Sequence, residues 1–435
     1  MADIATKYTG GPTKRGRLHP AWPVAAVAAL AIVAAGAFTT MAGLFTEPLH
    51  REFGWSHGEI GLAASVNMVV YGAVAPFSAA LMDRFGMRRV VGAALAAVAV
   101  GALLSTAMSA PWQYVLTWGL LIGLGSGAMA LTFAATVTQR WFVRRRGLVS
   151  GVLTAAGVFG QFVFLPVLSW VVDGHGWRTA AVLPALVACA ALPLALVLLR
   201  DHPADAGVRA YGAQRFTPKP AALPGAAART VRVLGAVARG APFWLLAATF
   251  AICGASTNGV MWTHFTPAAH DHGMPATAAS SLLALIGVFN VAGTVLSGWL
   301  TDRLDPRRLL AVYYALRGVT LLCLPVLMSA TVQPPMVAFV VLFGLLDVAT
   351  VPPTLALCRE LYGADSAIVF GWVAAAHQLG AGLAAFLGGV ARDAFGSYDP
   401  LWVAIGAVCG AGALLALVIA RPAGRCGTVA GPEFG

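Results

Sequence analysis

The chain reads as an all-α membrane protein of twelve transmembrane helices arranged as two six-helix, pseudo-symmetric bundles. Three observations predict this. Of 435 residues, 59% are hydrophobic and only 10% charged, where a soluble globular chain carries roughly 25% charge. The apolar residues gather into runs of about 20 or more, the length that crosses a bilayer as one helix. A block of residues recurs at a nearly constant offset in the second half, which points to a duplicated unit.

Apolar runs between charged or Pro/Gly breaks give spans at 22–46, 59–82, 89–108, 112–135, 147–172 and 177–199, then 242–265, 277–301, 308–328, 334–357, 366–391 and 400–420. Helices are the expected form, because backbone polar groups in lipid must be satisfied within the segment and the runs lack the alternation of a membrane barrel. The implied organisation is an N-terminal tail (1–21), a first bundle (22–199), a linker (200–241), a second bundle (242–420) and a C-terminal tail (421–435). The first run is about 25 residues long, beyond a signal-peptide core, and reads as a retained helix.

The net charge of +11 is a statement about topology rather than nucleic-acid binding. Of the 28 Lys and Arg, 24 lie in the tails and in the loops after even-numbered spans; the opposite loops hold Arg51, Arg178 and Arg392, and Arg317 lies within a span. An excess of Lys and Arg marks the cytoplasmic side, so both termini are expected there, in a plasma (inner) membrane. The Pro-, Ala- and Arg-rich stretch 200–241 then joins the bundles on that side. The six cysteines show no CxxC spacing, so neither a disulfide framework nor a metal site is expected. Trp22, Trp55, Trp112, Trp141, Trp177 and Trp244 sit near span ends and read as interfacial anchors.

The segment DRFGMRR (Asp83–Arg89) returns as DRLDPRR (Asp302–Arg308) at an offset of 219, while Phe45, Thr46, His50, Gly151, Gly160 and Asp173 match Phe265, Thr266, His270, Gly371, Gly380 and Asp393 at 220. Asp83, Arg84, Gly86, Arg88 and Arg89 fit the signature that follows helix 2 in the major facilitator superfamily, with Ala79 in place of the leading glycine. In the second copy Gly298, Asp302, Arg303, Arg307 and Arg308 fit, and Asp305 occupies the second glycine position. Within that superfamily FGWSHGEIGLAAS from Phe53, RRGLVSGVLTAAGVFGQ ending at Gln161 and IGVFNVAGTVLSGWLTDR from Ile286 resemble the monocarboxylate and oxalate/formate porter branch. That branch commonly carries an arginine four residues after the helix 8 asparagine; here Asn290 is followed at that spacing by Thr294. The resemblance implies alternating access about a solute path between the halves, no ATP site, and motif copies that act as a conformational gate.

Ionisable groups in mid-span cost about 2.5–3.5 kcal/mol on insertion scales and ask for a partner or a function. Arg317 lies about ten residues into span 9 and Asp347 about thirteen into the oppositely running span 10, so a pair at similar depth is plausible. It reads either as a structural ion pair or as a proton-exchanging Asp347 tuned by Arg317. His377 and Gln378 stand in an otherwise small-residue stretch of span 11, and Asn290, Asn258, Gln161 and Tyr71 are further mid-span polar groups. Each is a candidate substrate contact or helix-to-helix hydrogen bond. Pro352 and Pro353 follow Asp347 closely and interrupt span 10.

The expectation is a monomeric secondary transporter of a small organic solute such as a monocarboxylate anion, with a proton as coupling ion, no cofactor, no nucleic-acid partner and no enzyme chemistry. The rivals are efflux of a drug or neutral metabolite, and a non-transporting membrane sensor.

Overall fold

The structure is a computed structural model; it describes residues 19–129, 131–145, 148–149, 152–153, 156–157, 159–160, 164–219 and 225–419. Among these, eleven continuous helical stretches are long and apolar enough to span a membrane. They are α1 (Ala21–Phe53), α2 (His57–Phe85), α3 (Met87–Ser105), α4 (Pro111–Trp141), the stretch Phe164–Leu198, α7 (Ala241–Asp271), α8 (Ala276–Thr301), α9 (Pro306–Leu327), α10 (Pro334–Tyr362), α11 (Ser366–Phe395) and α12 (Asp399–Leu417). Phe164–Leu198 is divided at Gly176, whose φ of 83° no helix accepts, into α5 before it and α6 after it. The described residues thus hold eleven spanning stretches, and their order and the break at Gly176 follow the spans that the sequence predicts.

Starts and stops follow local chemistry. Ser56 caps α2 by accepting from the Glu59 N–H, and the Glu59 carboxylate returns the favour at the Ser56 N–H, a reciprocal capping box. Asp305 caps α9 with Pro306 at its first turn, and Gly54 and Gly396 end α1 and α11 in the left-handed conformation. Large apolar side chains such as Val326, Leu414 and Val295 point outward and are well exposed, which suits a lipid solvent.

Inside, small residues let backbones meet. A Cβ at Gly254 of α7 would lie 1.8 Å from the His377 carbonyl oxygen, and one at Gly380 of α11 would lie 2.2 Å from that of Ala251. Of the tryptophans expected as interfacial anchors, Trp112 and Trp244 are exposed and free to meet headgroups, whereas Trp55, Trp141 and Trp177 are buried. The Trp141 indole donates to the Arg200 carbonyl and that of Trp177 to Glu52; their hydrogen bonds are met by protein, so they need no headgroup. The linker forms a helix at Ala226–Val237 tied to the start of α11 by Arg229 on Asp365 and to α11 by the Trp372 indole on the Thr230 carbonyl.

Candidate functional site

The site grows from the interruption of α10. Its helix stops at Asp347 and restarts at Val351, with Pro352 and Pro353 in the first turn of the second piece, where a missing N–H is tolerated. Prolines there leave carbonyls without donors, and each unpaired carbonyl in an apolar interior costs free energy. Neighbours meet the need: Val351 N–H bonds the Val348 carbonyl, and Ser297 Oγ of α8 donates to the Ala349 carbonyl at 2.5 Å. Arg317 Nη2 of α9 donates to the carbonyls of Leu346 and Asp347 at 2.6 and 2.5 Å.

This corrects the expected ion pair. Arg317 and Asp347 are neighbours and both buried, at 0% and 1% exposure, but the guanidinium grips main-chain oxygens of the break. The Asp347 carboxylate instead accepts from Asn290 Nδ2 of α8 at 3.0 Å, and the Trp262 indole approaches it. Arg317 Nη1 completes its set on Cys253 Sγ and Ser256 Oγ of α7, both at 3.2 Å. Cys253 Sγ lies 3.1 Å from Thr350 Oγ1 in the break, and the His377 imidazole of α11 stands beside the same thiol. One buried polar cluster thus joins α7, α8, α9, α10 and α11 around the broken helix.

Asn290, His377, Arg317 and Asp347 are therefore brought together, and three of the other predicted residues are not in that cluster. Gln378 turns away from His377: a Cβ at Gly72 of α2 would meet its Cβ at 2.7 Å, which seats it at the seam between the halves. Tyr71 is the adjacent residue on α2 and half-buried, its backbone packed against Gly127 of α4. Asn258 is half-buried in a π-helical stretch of α7, Ala255–Met261, where its carbonyl accepts from Thr263 Oγ1 at 2.7 Å. Gln161 lies outside the described residues. Sequence reasoning passed over Cys253, Ser256, Thr350 and Ser297, because small polar side chains bond readily within their own helix and carry no charge to betray a distant partner. Ser297 had one signal, its place one turn beyond Gly293, whose added Cβ would lie 2.1 Å from the Leu345 carbonyl oxygen at the break.

The two motif copies sit at one end of the bundle and differ. In the first, Asp83 pairs with Arg140 at the end of α4, and Gly86, with φ of 87°, packs so closely that a Cβ would lie 2.5 Å from Asp201 Oδ2. Asp201 Oδ1 accepts from the Arg88 N–H at 3.2 Å. In the second, buried Arg307 holds Glu360 at 2.9 Å and the Ile419 carbonyl at 3.0 Å, while Arg303 bonds the Trp299 carbonyl and covers its ring. Asp302 and Arg308 are exposed. The offset of 219 maps Arg140 onto Arg359, a match that could have flagged Arg140 as the partner of Asp83.

Hydrogen bonds that cross between the halves cluster at the opposite end. Asp393 of α11 accepts from the N–H groups of His57 and Gly58 at 3.1 and 2.8 Å and lies 3.0 Å from His57 Nδ1, so one half caps a helix of the other. Arg51 of α1 reaches His270 of α7 at 2.7 Å, and a Cβ at Gly43 would lie 2.7 Å from the Thr263 carbonyl oxygen.

Comparison with known proteins agrees with this architecture. The sequence pattern described as the Major Facilitator Superfamily matches residues 27–290 and 257–425. Monocarboxylate transporter 13 of Bos taurus is 30% identical over 394 residues, covering 87% of this chain and 83% of that protein. Monocarboxylate transporter 11 of Homo sapiens is 27% identical over 401 residues, covering 88% and 80%. The inward open structure of the xylose transporter XylE from E. coli superposes with a TM-score of 0.70 at 15% identity, covering 93% of this chain and 98% of that one. The chain belongs to the major facilitator superfamily of transporters, and within it is related to the monocarboxylate transporters.

Proposed function

We propose that the chain is a secondary transporter that carries a small organic anion of the monocarboxylate class by alternating access, with a proton exchanged at Asp347 as the coupling step. The observation that carries the reading is a buried carboxylate hydrogen-bonded to Asn290 beside a helix break. A carboxylate in mid-span persists where it has work to do, and a broken helix is a joint whose movement changes what surrounds that carboxylate. Gln378, whose Cβ faces Gly72 of the opposite half, is the first candidate substrate contact, with Tyr71, Asn258 and His377 as the others. Charge asymmetry puts the motif end and both termini in the cytoplasm of a plasma-membrane monomer, and the far-end contacts then describe a carrier closed to the outside. The names of the relatives support the substrate class.

One observation favours a neutral substrate instead. Thr294 Oγ1 donates to the Asn290 carbonyl at 2.7 Å where the branch commonly carries an arginine, and Arg317 is already engaged by the break.

The test is transport by purified protein in proteoliposomes. Asp347→Asn is expected to abolish pH-driven accumulation of a labelled monocarboxylate while exchange of internal for external solute continues. Accumulation at the parent rate in that variant would end the coupling role. Thermal stabilisation by uncharged metabolites and by no carboxylate would favour the neutral reading.

A further inference from the structure

A cavity of about 1160 Å³ opens at the motif end, outside the buried cluster. Arg84, Arg88, Arg89, Arg140 and Lys219 line it against only Asp83 and Asp201. Both carboxylates are already answered: Asp83 by Arg140, Asp201 by Lys219 at 3.4 Å and by the Arg88 N–H. Burial alone would lower the Lys219 amine, but hydrogen bonds and charge from Asp205 and Asp201 hold it above its ordinary value, so it stays a cation. The guanidinium groups of Arg84, Arg88 and Arg89 are exposed and have no ion-pair partner among the described residues. The N-terminus of the nineteen-residue helix α3 opens on the same side but is already met by Asp201, so the three arginines supply the free positive charge. Beside Gln139, His202 and Thr217, the wall has an apolar part made of Met82, Phe85, Val143 and Leu196; Phe85 and Val143 are half exposed.

We propose that this cavity binds the phosphate of an anionic phospholipid. Guanidinium groups match phosphate oxygens bidentately, and basic pockets beside spanning helices take lipid headgroups. A free phosphate shares that chemistry, but the apolar wall at Phe85, Val143 and Leu196 has no use for it and suits the glycerol and first methylenes of a lipid. The braced loop explains the fit: Asp201 pins the Gly86 turn, so the three arginines project from a fixed base. A bound headgroup would tie the loop after α2 to the segment after α6, both within the first half.

The probe is spin-labelled phosphatidylglycerol added to the full-length protein in detergent, with labelled phosphatidylcholine as reference. Preferential immobilisation of phosphatidylglycerol is expected, with about tenfold or greater loss of affinity in Arg88→Gln/Arg89→Gln. Thr217→Glu, at an exposed position on the cavity wall, keeps the motif intact and should weaken binding in the same direction. Inorganic phosphate should not displace the lipid. Equal immobilisation of both lipids, parent-like binding in monodisperse Thr217→Glu, or full displacement by inorganic phosphate would each overturn the proposal. None of these results depends on whether Asp347 carries a proton.

Discussion

Replacing Arg317 by leucine separates two accounts of the membrane interior. If the guanidinium serves the broken helix, its loss strands the carbonyls of Leu346 and Asp347, each held at about 2.5 Å. An unsatisfied buried polar group costs about 1–3 kcal/mol, so Arg317→Leu should destabilise the protein by about 2–6 kcal/mol. Asp347→Asn keeps an acceptor for Asn290 and should cost only about 1 kcal/mol, the difference between a charge-assisted and a neutral hydrogen bond. Because the guanidinium bonds the main chain at 347 rather than the carboxylate, adding Asp347→Asn to Arg317→Leu should rescue little, with a coupling energy below about 1 kcal/mol. The assay is equilibrium unfolding of monodisperse protein in mixed micelles across the four members of the cycle. An ion pair predicts the opposite, since removing one partner of a buried pair costs about 3–5 kcal/mol that neutralising the other returns. Recovery of about 3 kcal/mol in the double variant would refute the clasp.

Asp393→Ala removes the acceptor of His57 and Gly58, a cap worth about 0.5–2 kcal/mol; up to about thirtyfold loss of the closed far end should follow. Spin-label distances between Leu62 and Phe395 positions report it, and an unchanged distribution would show the cap to be idle. Gly254→Ala forces a Cβ to within 1.8 Å of the His377 carbonyl oxygen and should lower the unfolding temperature sharply, while Gly410→Ala, with open space around it, should not; equal melting would deny the close α7–α11 contact. Cysteines at the exposed Phe85 and Leu304 should resist an impermeant maleimide on intact cells and react in inside-out vesicles, and labelling from outside at both would reverse the orientation.

The spans were legible because lipid imposes a simple rule: about 20 apolar residues, with backbone bonds closed within the helix. Even the joint between α5 and α6 lay within a few residues of its predicted place, since Gly174 and Gly176 interrupt the apolar pattern. The duplicated motif was legible through charge and turn chemistry, both local. Long-range partners were not. Arg317 and Asp347 stood out as expensive residues at similar depth, yet depth says nothing of which oxygen a guanidinium reaches. His377 and Gln378 are adjacent in sequence, but helical rotation of about 100° per residue turns one to the Cys253 thiol and the other to Gly72 of the opposite half. Composition and periodicity by themselves determined the solvent, the number of helices, the repeat and the residues too costly to be idle. Tertiary structure alone decided that Pro352 and Pro353 open a joint whose carbonyls Arg317 and Ser297 close, because a freed carbonyl is satisfied by whichever donor packing brings within hydrogen-bond reach, and that geometry is a property of five helices together.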